Sequence, residues 1–132
     1  MFRPARRALI AALTFAATVS AASAGPVECV YDSWRGAETN SVAESWVGIG
    51  FIADTAQGTV QVKLADGVYP EEQAQLVQQA NFTGLVYYKS EKASDGSVFR
   101  LRYSFRIYKG GKCEGRMDQD GYAALVGSGR VK

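Results

Sequence analysis

From Val98 to Lys109 the chain alternates, with Phe99, Leu101, Tyr103, Phe105 and Ile107 on one side and Arg100, Arg102, Ser104, Arg106 and Tyr108 on the other. A period of two predicts a strand with one face in a core and one in water, as in an antiparallel sheet. The same pattern places Val60, Val62 and Leu64 inward between Thr59 and Leu64, and it puts Val47, Ile49 and Phe51 on one face of Trp46 to Ala53. Further strands are expected at Val27 to Ser33, Phe82 to Lys89, Lys112 to Met117 and Tyr122 to Val131.

Turn residues fall between these runs. Asp66-Gly67, Asp95-Gly96 and Asp120-Gly121 are pairs that tolerate positive φ, and Ala56-Gln57-Gly58 separates two of the strands. Neighbouring strands are therefore expected to be joined by hairpins. The stretch from Pro70 to Ala80 reads differently: proline, then Glu71 and Glu72, then good helix formers with Leu76, Val77 and Ala80 at helical spacing. That order predicts one short helix.

The fold class is thus all-β and mainly antiparallel, a small up-and-down barrel or curled meander of six to eight strands with one short helix. Glycines at 48, 50 and 84 inside predicted strands fit strong bending. An immunoglobulin-like sandwich fits less well, because Gly111 stands two residues before Cys113 where that fold places a tyrosine.

The beginning of the chain changes the picture of where this domain works. Arg3, Arg6 and Arg7 precede an apolar run from Ala8 to about Val19, and Ala22-Ser23-Ala24 precedes Gly25. Charged start, short apolar run and small residues are the three parts of a cleavable bacterial leader. The expected organisation is a signal peptide at 1–24 and one β-rich domain at 25–132, exported to the periplasm or the extracellular space. The apolar run is too short to span a bilayer, and nothing comparable follows it, so no transmembrane segment is expected. In that setting Asn81-Phe82-Thr83 is a coincidental glycosylation match.

Cys29 and Cys113 are the only cysteines. In an exported chain they are expected to form one disulfide, and the chain-entropy account gives closure of so long a loop roughly 4.5 kcal/mol. A redox-active pair is disfavoured because catalytic dithiols usually lie two residues apart.

The whole chain has 15 basic and 13 acidic residues, and three of the arginines belong to the leader. Near neutrality excludes a strongly basic nucleic-acid binder. With no histidine, the common serine and cysteine triads, histidine metal sites and histidine pH switches are also excluded. Gly48-Ile49-Gly50-Phe51-Ile52-Ala53 fits a dinucleotide fingerprint only in its letters, since no helix pattern follows. Asp118-Gln119-Asp120-Gly121 lacks the first ligand and closing glutamate of a calcium loop, and Gly127-Ser128-Gly129 lacks a base for its serine. Glu71 and Glu72 suit a helix N-terminus better than acid/base chemistry. No catalytic residue, cofactor or metal is assigned.

Charge divides along the chain. Gly25 to Gly84 holds eight acidic and two basic residues, whereas Leu85 to Lys132 holds ten basic and five acidic. Arg100, Arg102, Arg106 and Tyr108 share one strand face, which either pairs with acidic neighbours or forms a surface for an anionic partner. The leading expectation is a non-catalytic binding or inhibitor module that meets an anionic envelope component or a protein through this face. A barrel carrying a small apolar ligand and a cofactor-independent enzyme using carboxylates are the alternatives.

Overall fold

The computed structural model describes residues 25–36 and 47–132. The predicted signal peptide lies outside the described residues, as does Trp46. The described strands are β1 (Val27–Arg35), β2 (Gly50–Asp54), β3 (Thr59–Leu64), β4 (Gly67–Val68), β5 (Glu72–Gln73), β6 (Gln75–Gln78), β7 (Phe82–Lys92), β8 (Val98–Tyr108), β9 (Lys112–Gln119) and β10 (Leu125–Val131). They form one antiparallel sheet in the order β4-β3-β2-β1-β10-β9-β8-β7-β6, with β5 attached to β3. The class expected from the alternation is the class observed.

The sheet curls but is not closed by a full ladder. Its two ends are linked through the run 72–78, in which Glu72 and Gln73 pair with β3 while Gln75 to Gln78 pair with β7. This corrects the helix expected at Pro70 to Ala80: the stretch is extended. The two sheet ends leave backbone groups unpaired, and this run satisfies them from either side. Ala74 N–H donates to the Gly58 carbonyl at 2.8 Å, and Gln73 Nε2 donates to the Gln57 and Gly58 carbonyls at 3.2 Å. Lys89 on β7 then reaches Glu72 on β5 at 3.1 Å. Completing backbone hydrogen bonds outweighs a helix propensity of a few tenths of a kcal/mol per residue.

Inside the curl lie Phe51, Val60, Val62, Leu85, Leu101, Phe105, Met117 and Leu125, with Tyr31, Tyr87 and Tyr103. Phe51 and Phe105 meet across the centre at 4.9 Å between ring centroids. One expected face is corrected. Val47 and Phe51 are buried but Ile49 is 36% exposed, because Gly48 has φ +82° and turns the chain out of a simple alternation.

The Cys29–Cys113 disulfide is present, with both cysteines fully buried. It joins β1 to β9 across β10 and closes a separation of 84 residues. Such a bond belongs to a non-cytoplasmic, oxidising environment. No helix among the described residues is long and apolar enough to cross a membrane.

Candidate functional site

Because β7, β8 and β9 are hairpin neighbours in regular register, their outward residues form rows. Arg102 lies between Tyr88 and Asp118, Ser104 between Val86 and Arg116, Arg106 between Gly84 and Glu114, and Tyr108 opposite Phe82. The four candidate residues Arg100, Arg102, Arg106 and Tyr108 thus lie on one outer face, but the structure gives them different roles.

Arg102 is partly neutralised. Its Nη1 is 3.5 Å from Asp118 Oδ2, and Arg116 grips the same carboxylate, with Nε 3.1 Å from each oxygen and Nη2 at 3.0 Å from Oδ1. That carboxylate holds the Arg116 guanidinium above its ordinary pKa, mainly by the hydrogen bond. Asp118 therefore acts as a counter-ion shared by Arg102 and Arg116.

Arg100 and Arg106 instead lie on aromatic rings. The Arg100 guanidinium carbon is 4.4 Å from the centre of Tyr88, and that of Arg106 is 4.3 Å from the centre of Phe82. Each ring sits diagonally across the β7–β8 pair, within reach of a long side chain. Among the described residues neither arginine has a carboxylate within ion-pair distance. Arg106 Nη1 also donates to the Tyr108 hydroxyl at 3.4 Å, and that hydroxyl donates to Glu114 Oε1 at 3.3 Å. Tyr108 links a cation to a carboxylate instead of standing free as a flat contact.

Sequence reasoning counted Arg116 in the basic cluster of residues 100, 102, 106, 109, 112 and 116, but did not place Tyr88 or Phe82 on this face. The Asp95-Gly96 turn held the signal for these two rings, since folding the chain back there sets the outward residues of 82–92 beside the arginines. Within β7 to β10, register places Lys92, Lys112 and Arg130 on the same face, with Glu114 and Asp118 as the acidic residues there.

The weaker motifs lie in structural elements. Gly48 to Ala53 runs into β2, Ser128 lies within β10, and Glu72 is paired with Lys89. Among the described residues no three His, Cys, Asp or Glu side chains are grouped to hold a metal ion. No protein-family model, curated protein or solved structure matches this chain.

Proposed function

We propose that the protein is an exported, non-catalytic binding module whose outer β7–β9 face engages an anionic component of the cell envelope. The observation that carries this reading is the seating of Arg100 and Arg106 on Tyr88 and Phe82, without carboxylate partners among the described residues. A guanidinium over a ring is held in place while its N–H edge stays open to an oxyanion, and arginine can meet phosphate or carboxylate through two parallel hydrogen bonds. The two arginines lie six residues apart on one strand, roughly 20 Å at a rise of about 3.4 Å per residue. Their spacing suits several anionic groups on one surface better than a single small ion. The leader supports export, and the absence of histidine supports a role in binding.

The test compares the disulfide-bonded protein with a variant carrying Arg100→Gln and Arg106→Gln, using sedimentation with phosphatidylglycerol vesicles and with lipopolysaccharide. The expected result is salt-sensitive retention of the native protein and loss of retention in the variant, with unchanged circular dichroism. Equal retention of both, or no retention of the native protein at low salt, would overturn the proposal.

A further inference from the structure

The open side of the curled sheet contains a second feature, on the opposite face of the same hairpin. The inward residues of β7 and β8 pair as Tyr87 with Tyr103, Lys89 with Leu101 and Glu91 with Phe99. Beyond Val86, β6 no longer covers β7, so these three rows form one wall of a cleft. Tyr69 and Pro70 form the other. The cleft has a volume of about 270 Å³. That is a little under the roughly 300 Å³ at which sites for drug-sized ligands begin, so its occupant is small.

The chemistry of the wall is uneven. Tyr87 and Tyr103 stack at 4.9 Å between centroids, and together with Phe99 they supply aromatic surface. Lys89 is occupied by Glu72 at 3.1 Å. Glu91 has no basic partner within ion-pair distance among the described residues. The cleft therefore joins electron-rich rings to one uncompensated negative charge, and its only cation is already matched. Burial chiefly, then the neighbouring Tyr69, Glu91 and Glu72, favours the neutral form of Tyr103.

We infer that this cleft binds a small organic cation, an amine or quaternary ammonium compound, with its charge toward Glu91 and its carbon groups against the tyrosine and Phe99 rings. Aromatic rings attract such cations through their negative faces, and a desolvated cation next to a carboxylate adds a direct Coulomb attraction. A small anion would meet Glu91 unfavourably and would have to separate Lys89 from Glu72. A purely apolar molecule would leave Glu91 partly covered without a partner. This site is separate from the arginine face, which points outward from the other side of β7 and β8.

Nuclear magnetic resonance titration of the disulfide-bonded protein tests the inference, with choline as the cation, 3,3-dimethylbutan-1-ol as its neutral isostere and benzoate as an anion. Choline is expected to shift the ring resonances of Tyr87, Tyr103 and Phe99 and to bind about fivefold more tightly than the isostere. Glu91→Gln, at an exposed position, is expected to weaken choline binding and so to narrow that preference. Phe99→Leu is expected to weaken both ligands. Equal binding of choline and its isostere, stronger binding of benzoate, or an absence of ring shifts with millimolar choline would each overturn the inference. None of these results depends on the arginine face.

Discussion

The Tyr31 hydroxyl on β1 lies against Gly115 on β9, two strands away, where a Cβ at Gly115 would collide with it. The ring passes over Gly127 on the intervening β10, whose hydrogen-only side chain leaves the same room. The hydroxyl is buried and has no hydrogen-bond partner among the described residues. Glycine here is required by close approach, since neither residue has positive φ.

Gly115→Ala is therefore expected to cost about 1 to 3 kcal/mol, the range for overpacking a filled core. Tyr31→Phe removes an unsatisfied buried hydroxyl and is expected to be neutral or stabilising by about 1 kcal/mol. Combined, the two should cost less than the sum of the single effects, because the phenyl ring relieves the hydroxyl contact. Urea unfolding of the four proteins measures the coupling. Strict additivity would show that Tyr31 does not crowd Gly115.

Reduction of the Cys29–Cys113 bond is expected to destabilise the fold by about 2 to 5 kcal/mol. Thermal melts with and without reductant check the size, and mass spectrometry of the unreduced protein should find both cysteines joined within one molecule. A main population of free thiols or covalent dimers would contradict the fold described.

The two faces of β8 should respond unequally. Phe105 is 1% exposed and meets Phe51, Tyr87 and Tyr103, so Phe105→Ala is expected to cost about 3 to 5 kcal/mol. Arg102 has a side chain 42% exposed and an Asp118 partner that Arg116 also serves, so Arg102→Ala should cost well under about 1 kcal/mol. Similar losses in a denaturant series would mean that the faces are misassigned.

Alkaline pH should unfold the domain through its buried phenols. Burial raises Tyr31 and Tyr87 well above the ordinary tyrosine pKa of 10.0 and puts Tyr103 at about 12. A raised pKa in the fold means that the neutral phenol is the form held there. Their contribution is thus complete below pH 10 and declines as pH rises from the ordinary value through the folded one. Phenolate absorbance and circular dichroism recorded together should show these three tyrosines ionising only as structure is lost. Ionisation of every tyrosine near pH 10 with the fold intact would refute this.

Local pattern made most strands legible. Thr59 to Leu64 was expected and found over the same residues, and Val98 to Lys109 differs from β8 by one residue, because an alternating half-buried strand writes its period directly into the sequence. Where the backbone departs from two-residue alternation, that signal misleads. The register slips between Tyr31 and Ser33, and this bulge lets both Tyr31 and Trp34 pack toward the core although they are three residues apart. Gly48 acts in the opposite sense, leaving Val47 in the core and Ile49 exposed although they are two residues apart.

The sequence by itself determined the β class, the one possible disulfide, and the strand that carries Arg100, Arg102, Arg106 and Tyr108. These depend on residue type and near-neighbour spacing. Only the tertiary structure decided that Pro70 to Ala80 would be extended, that Asp118 would neutralise Arg102, that Tyr88 and Phe82 would carry Arg100 and Arg106, and that Tyr69 would face Tyr87 and Tyr103 across a cleft. Each of those depends on segments brought together by curling the sheet, where unpaired backbone edges and cross-strand neighbours supply energies that a local reading of the chain does not contain.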